Sequence, residues 1–148
     1  MNNYGHMLIL GLGVLSDYKE ACKYFKKAAD LGDTEAMVSY GHCLSSGQGV
    51  EVDKEKALQY FKKAADLGND EGMFNYAYFL LQGVGSNTNL EEESACYMKE
   101  SAEKGNVDAM YYYAEMLLHG KGTTANDEEA FRYYKKAAEK GNIKSMLL

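Results

Sequence analysis

The seven residues Lys-Lys-Ala-Ala-Asp-Leu-Gly at positions 26–32 decide the fold, because the chain repeats them. The same letters stand at 62–68, and close variants stand at 99–105 and 135–141. The final glycines of these segments are 36, 37 and 36 residues apart. A second set of anchors steps by 36, 36 and 37 residues: Tyr4, Tyr40, Tyr76 and Tyr113. Two independent anchors with one period indicate an array of repeated structural units.

Apolar residues within each unit recur at helical spacing. Ala57, Tyr60, Phe61, Ala64 and Ala65 follow one another at intervals that place them on one face of a helix, here called helix B. The segment after each repeated glycine predicts a second helix, helix A, by the same spacing. The inward positions predicted for helix A are Ala36, Met37, Tyr40, Gly41 and Leu44, then Gly72, Met73, Tyr76, Ala77 and Leu80, then Ala109, Met110, Tyr113, Ala114 and Leu117.

Helix ends are marked by residues that suit them. Each repeat-ending glycine can adopt the left-handed conformation that terminates a helix, at Gly32, Gly68, Gly105 and Gly141. An Asp or Asn follows each glycine and is predicted to cap helix A: Asp33, Asn69, Asn106 and Asn142. The caps predicted for helix B are Asp17, Asp53, Asn89 and Asn126.

These patterns predict an all-α fold, an α/α solenoid (superhelix) of helix-turn-helix repeats with a period of 36–37 residues. The absence of proline supports the helical assignment. One solenoid domain is expected, with a partial first repeat at 1–32, full repeats at 33–68, 69–105 and 106–141, and the start of a truncated repeat at 142–148.

The segment from Ala21 to Gly49 resembles the Sel1-like repeat, a relative of the tetratricopeptide repeat with a longer internal loop. The resemblance rests on the Tyr-Phe-Lys-Lys-Ala-Ala-Asp-x-Gly run, the Ala-Met-x-x-Tyr-Gly run and the closing Gly-x-Gly, and it covers nearly the whole chain. The loop at 85–90 departs from the pattern, because it holds an extra residue and lacks the usual Val after its second glycine. The resemblance implies a protein-interaction scaffold.

Composition and charge argue against several other classes of protein. The net charge of −6 and the pI near 5.1 disfavour a nucleic-acid-binding module. The longest nearly apolar run, residues 7–15, is too short to span a membrane, so no membrane insertion is expected. Three cysteines, Cys22, Cys43 and Cys96, cannot all pair internally, and the N-terminus lacks the positive start of a secretory signal. A reducing, cytoplasmic location is expected.

No catalytic, metal or cofactor site is predicted. The four Gly-x-Gly triplets follow helix A, whereas a dinucleotide fingerprint follows a strand. His6 and His42 occupy equivalent repeat positions one helix spacing apart, too far to share a zinc ion directly. No nucleophile and base converge at predictable range, so we expect the chain not to be an enzyme.

The positions of helix A that face away from the predicted core differ between repeats, as expected of a binding surface. They are Val38, Ser39 and His42, then Phe74, Asn75 and Tyr78, then Tyr111, Tyr112 and Glu115. All except Val38 are predicted to bind a partner on the concave helix-A surface. Acidic residues border this surface at Glu35, Glu71 and Asp108, which favours a protein or peptide segment with some positive charge.

The preferred hypothesis is therefore a non-enzymatic adaptor that holds partner proteins. Apolar residues at both uncapped ends suggest self-association or, alternatively, a structural subunit or a segment of a larger array. A rival from the resemblance is β-lactam binding or hydrolysis, since some cysteine-rich relatives have been linked with it. Those relatives carry a cysteine pair in each repeat, whereas the three cysteines here occupy non-equivalent repeat positions.

Overall fold

The computed structural model describes residues 15–83 and 90–141, with side chains from residue 18 onward. These residues form seven α-helices and no strand, which confirms the predicted all-α repeat fold. The helices are α1 (Leu15–Asp30), α2 (Thr34–Ser46), α3 (Lys54–Asp66), α4 (Asp70–Leu81), α5 (Leu90–Glu103), α6 (Val107–His119) and α7 (Asp127–Glu139). Helix A of the repeats is α2, α4 and α6, and helix B is α1, α3, α5 and α7.

The predicted N-caps of helix A are confirmed wherever the structure describes them. The side-chain oxygens of Asp33, Asn69 and Asn106 accept a hydrogen bond from the backbone N–H three residues later, at 3.1, 2.9 and 2.9 Å. Asp53 and Asn126 cap α3 and α7 in the same way, each at 3.0 Å. The short polar side chains therefore start the helices that the sequence assigned to them.

One cap assignment is wrong, and two lie outside the described residues. Helix α1 begins at Leu15, so Asp17 lies inside its first turn and does not precede it. Helix α1 has 16 residues, whereas α3 and α7 have 13, so it starts earlier than the position that the other repeats indicate. Asn89 and Asn142 fall in the parts of the chain that the structure leaves undescribed.

The repeat-ending glycines have positive φ angles, as predicted. The values are +99°, +94°, +102° and +98° for Gly32, Gly68, Gly105 and Gly141. In three of the repeats the N–H of the residue after the glycine bonds back to a helical carbonyl, as in Asp33 N–H to Ala28 O at 3.1 Å. An L-residue rarely adopts such angles, so glycine at these corners sets where helix B stops.

The structure divides into two compact units, with the boundary between Gly72 and Met73. In the first unit α1 packs on α2, and α2 packs on α3. Its core combines small residues with a few large ones, of which Phe25, Met37 and Phe61 are fully buried. The small residues allow close helix approach, as at Gly41, where an added Cβ would lie 2.6 Å from Cε1 of Phe61.

In the second unit α5 packs on α6, and α6 packs on α7. Hydrogen bonds join α4 to α5: the Tyr76 hydroxyl donates to Glu93 at 2.8 Å, and the buried Ser94 hydroxyl donates to the carbonyl of Ala77 at 2.7 Å. The buried polar group of Ser94 is therefore satisfied. The core of this unit centres on Met98, Met110 and Leu117.

A tyrosine pair recurs between helix A and the following helix B. The rings of Tyr40 and Tyr60 meet edge to face at 4.9 Å, and equivalent pairs are Tyr76 with Tyr97 at 4.8 Å and Tyr113 with Tyr133 at 5.2 Å. Edge-to-face contact is a favourable arrangement of aromatic rings. Tyr60 is only partly buried in this contact, so the expectation that it shares the buried face with Phe61 is wrong.

In the described Gly-x-Gly loops, close contact with a neighbouring helix requires glycine at the second position. Gly49 follows α2, and a Cβ there would overlap the carbonyl oxygen of Tyr18 in α1. Gly122 follows α6, and a Cβ there would overlap the carbonyl oxygen of Glu91 in α5. Each glycine thus seats its loop against the main chain of the preceding helix B, which supports the structural interpretation of these triplets.

Candidate functional site

Three aromatic rings meet where α4 and α6 face each other in the second unit. Phe74 and Tyr78 lie one turn apart on α4, and their rings stack with 5.9 Å between centroids. Tyr112 on α6 lies 5.6 Å from Phe74 and 5.5 Å from Tyr78. These distances are typical of interacting aromatic pairs, so the three rings form a closed triangle.

Tyr111 extends this group toward α7. Its ring lies 5.3 Å from Tyr112 and 5.8 Å from Tyr134. We call Phe74, Tyr78, Tyr111 and Tyr112 the aromatic cluster. All four side chains are partly exposed, although Phe74, Tyr111 and Tyr112 also pack against the core of the second unit. The structure therefore brings together four of the eight predicted partner-binding residues, and these rings have both a packed side and an accessible side.

Glu115 lies beside the aromatic cluster and is held in place by a buried tyrosine. The Tyr134 hydroxyl donates to Oε1 of Glu115 at 2.8 Å. Burial raises the pKa of Tyr134, and the hydrogen bond to Glu115 and the negative charge of that carboxylate raise the pKa further. A carboxylate fixed in this way offers its remaining lone pairs to a cationic or hydrogen-bonding group of a ligand.

Replacement of Tyr134 by phenylalanine is expected to lower the free energy of unfolding by about 1–2 kcal/mol at pH 8, since a hydrogen bond to a charged group is lost. The folded state holds the Tyr134 proton more tightly than the unfolded state, so this contribution is full below the unfolded pKa of about 10 and declines as the pH rises above it. Urea unfolding of both proteins between about pH 8 and pH 11 measures the difference. A difference that is constant over this range would contradict the assignment.

A cleft of about 500 Å³ opens next to the aromatic cluster. Tyr78, Tyr112 and Glu115 line it, and they were predicted from the sequence. The remaining lining residues were missed: Leu81, Gln82, Met116, His119 and Lys121. Gln82 and His119 follow Tyr78 and Glu115 by four residues, so extending the helical spacing by one turn would have found them. The cleft combines aromatic walls with groups of both charges.

The other predicted partner-binding residues are placed as follows. Asn75 is partly exposed on α4. Ser39 and His42 lie on α2 in the first unit, where Ser39 is partly exposed and His42 is exposed with its ring 5.2 Å from Phe61. Val38 is buried, so its expected position on the outward side of helix A is wrong. The short valine is covered at this position, whereas the larger Phe74 and Tyr111 at the equivalent positions stay partly exposed.

The described part of the chain contains neither a cluster of metal ligands nor a helix that could span a membrane. No group of three or more His, Cys, Asp or Glu side chains lies close enough together to hold a metal ion there. Among the same residues, no helix has the length and apolar character needed to cross a membrane. His6 and the first Gly-x-Gly triplet lie outside the described residues.

The family model described as the Sel1 repeat matches the chain four times, at residues 1–33, 34–69, 70–106 and 107–142. The chain belongs to the Sel1 repeat family. Proteins of this family are commonly protein-interaction scaffolds, and the Sel1 repeat fold is typically non-catalytic. The resemblance inferred from the repeated glycines and tyrosines is therefore confirmed.

Solved structures of other Sel1 repeat proteins are similar over almost the whole chain. A protective antigen from uropathogenic Escherichia coli, which displays an SLR fold, has a TM-score of 0.88 at 30% identity over 97% of this chain. A Sel1 repeat protein from Oxalobacter formigenes has a TM-score of 0.86 at 29% identity over 97% of this chain. This chain spans 31% and 58% of the lengths of those two proteins.

A third structure, the cysteine rich protein B of Helicobacter pylori, shares the fold with a TM-score of 0.68 at 24% identity. The match covers 92% of this chain and 97% of that protein. A search of curated proteins finds no match. The similarities together establish a helical Sel1 repeat solenoid as the fold.

Proposed function

We propose that this Sel1 repeat chain is a non-enzymatic adaptor that binds a segment of a partner protein through the exposed side of helix A. The observation that carries the proposal is the aromatic cluster: three partly exposed rings in mutual contact and a fourth in contact with one of them, beside a cleft and an anchored carboxylate. Tyrosine and other aromatic side chains dominate the binding energy of protein interfaces, because they bury a large area at little cost in conformational entropy.

The partner segment is proposed to carry an apolar or aromatic side chain and a positive charge. The cleft of about 500 Å³ has the size of ordinary small binding pockets and is walled by Tyr78 and Tyr112. Glu115 lies at the same cleft, and exposed acidic residues stand at Glu71 and Asp108 on α4 and α6. An arginine or lysine beside an apolar anchor would therefore satisfy both kinds of group.

Ser39, His42 and Asn75 complete the proposed partner-binding set, together with the aromatic cluster and Glu115. They occupy the outward positions of helix A on α2 and α4, and all three are at least partly exposed. Side chains at these positions differ from repeat to repeat, which lets a repeat array distinguish one partner sequence from another.

A displayed library of random peptides tests this proposal with the full chain as bait. We expect enrichment of peptides that combine aromatic or aliphatic residues with Lys or Arg. The combined Tyr78→Ala and Tyr112→Ala replacement should weaken binding of an enriched peptide about 30-fold or more, as expected when hot-spot side chains are removed. Phe131→Ala is the matched control, because Phe131 is an aromatic residue that is 66% exposed on helix B.

Circular dichroism must show equal helix content in both variants and the parent chain. Binding that survives the double replacement, or that falls equally in Phe131→Ala, would place the binding surface on helix B or in the loops. Binding that persists when the peptide's Lys and Arg are replaced by Gln would contradict the charge part of the proposal.

A further inference from the structure

Two buried thiols from consecutive helices meet in the first unit. Cys22 on α1 and Cys43 on α2 are 0% and 4% exposed, and their side chains are joined by a hydrogen bond. The Cys22 sulfur also lies 2.9 Å from the carbonyl oxygen of Gln48, which its S–H donates to. The third thiol, Cys96 on α5, is exposed. All three are free cysteines.

The pair is peculiar to this part of the repeat array. Counting from the repeat-ending glycines, the position of Cys22 holds Leu58, Ala95 and Phe131 in the other repeats. Counting from the helix-A tyrosines, the position of Cys43 holds Phe79 and Met116. Ordinary apolar residues are therefore sufficient for packing at both positions. Two sulfurs in contact provide thiol chemistry that the other repeats lack.

We propose that Cys22 and Cys43 form a peroxide-sensitive dithiol that closes to a disulfide linking α1 and α2. The Cys22 thiolate attacks hydrogen peroxide, which gives a sulfenic acid at Cys22 and releases hydroxide. The Cys43 sulfur then attacks the Cys22 sulfur, and the sulfenic hydroxyl leaves as water by taking the Cys43 proton, while the proton that Cys22 released on ionisation neutralises the hydroxide. In sum, two thiols and one hydrogen peroxide give one disulfide and two waters.

The order of attack follows from the hydrogen bond between the thiols. The bond from Cys43 lowers the pKa of Cys22 and is the largest cause of that shift, whereas the same bond and burial raise the pKa of Cys43. Cys22 is thus the thiol that ionises first and reacts with the oxidant. Hydrogen peroxide is little larger than water, so a small local opening of the α1–α2 contact is enough to admit it.

Closure has two structural consequences. The disulfide joins residues 22 and 43, which restricts the unfolded chain over a loop of about 20 residues. It also removes the S–H group that donates to Gln48, and Gln48 lies between the two loop glycines Gly47 and Gly49. Oxidation therefore acts on the α1–α2 contact and on the loop that seats against α1.

The experiment uses the full chain with Cys96→Ser, which removes the exposed thiol that would link two chains. The reduced protein is treated with hydrogen peroxide, alkylated under denaturing conditions and digested with trypsin. Lys23, Lys26 and Lys27 separate the two cysteines, so a disulfide appears as two linked peptides whose mass is lower by two hydrogen atoms than the sum of the reduced peptides. We expect this product as the main one.

The thermal midpoint of the oxidised chain should rise by about 5–10 °C and return after reduction. Adding Cys22→Ala or Cys43→Ala to the Cys96→Ser chain should abolish both the linked peptides and the rise. Recovery of both cysteines as alkylated thiols, or as separate sulfinic acids, would overturn the proposal. Mass spectrometry of the Cys96→Ser chain decides this without relying on the folding of the alanine variants.

Discussion

Replacement of Phe61 by alanine is expected to lower the free energy of unfolding by about 3–5 kcal/mol. Phe61 on α3 is fully buried, and its ring fills the space above Gly41 on α2, where there is no side chain to take its place. The cavity left by the ring is therefore expected to remain largely open. Urea unfolding followed by circular dichroism measures the loss.

Phe131→Ala provides the control, since Phe131 lies on the corresponding helix of another repeat and is 66% exposed. We expect a change within about 0.5 kcal/mol for that variant. Similar losses for the two variants would show that Phe61 does not fill the α2–α3 contact.

A double variant tests the contact between Phe61 and Gly41 directly. Gly41→Ala alone should destabilise the chain by about 1–3 kcal/mol, because the new Cβ would lie 2.6 Å from the Phe61 ring. In the Phe61→Ala background the same change should be neutral or stabilising by up to about 1 kcal/mol, since the clash is gone and alanine favours the helix. Additive effects would contradict this contact.

Gly122→Ala is expected to be the second most damaging change and to lower the free energy of unfolding by about 2–5 kcal/mol. The φ angle of Gly122 is +72°, which strains an alanine by about 1–2 kcal/mol. The added Cβ would also overlap the carbonyl of Glu91, and main chain cannot move aside as the end of a side chain can. Thermal and urea unfolding measure the loss.

Gly105→Ala separates the two causes. Gly105 has a φ of +102°, but a Cβ there meets nothing within 4 Å, so only the backbone strain applies. Its loss should be about 1–2 kcal/mol, clearly smaller than that of Gly122→Ala. Equal losses would show that Gly122 is needed for its φ angle alone and not for the close approach to α5.

The sequence predicts much of this fold because the same local rules recur in every repeat. The glycine corners, the Asp and Asn caps and the apolar faces depend on residues a few positions apart, and such short-range patterns can be read from a single chain. The tyrosines of helix A illustrate this: Tyr40, Tyr76 and Tyr113 are all buried, as predicted. Each of these local patterns is weak evidence for a helix boundary or a buried face, and its repetition in every unit makes the prediction strong.

Helical spacing is less reliable at the borders of a buried face. Tyr60 is adjacent to Phe61 in the sequence, yet Tyr60 is partly exposed and Phe61 is fully buried. Val38 on α2 shows the reverse error: it was predicted to face outward, and it is buried. Which border position is covered depends on neighbouring helices, whose crossing is not encoded in the spacing of one helix.

The same distinction between local spacing and helix packing applies to the candidate site. Phe74 and Tyr78 share a face of α4 by their spacing, so part of the aromatic cluster was predictable. The contacts of Tyr112 with both rings depend on how α6 lies against α4. The Cys22–Cys43 contact escaped prediction for this reason too, because the two cysteines occupy different repeat positions and meet only when two helices pack.

The loop contacts at Gly49 and Gly122 affect how such a protein can evolve. At each of these glycines a loop packs against a main-chain carbonyl group of the preceding helix B. The main-chain carbonyl is the same for every residue type. Side-chain mutations in the supporting helix can therefore accumulate without disturbing this contact between loop and main chain. The outward residues of helix A can then change during evolution to bind a different partner, while each loop keeps its contact with the preceding helix B.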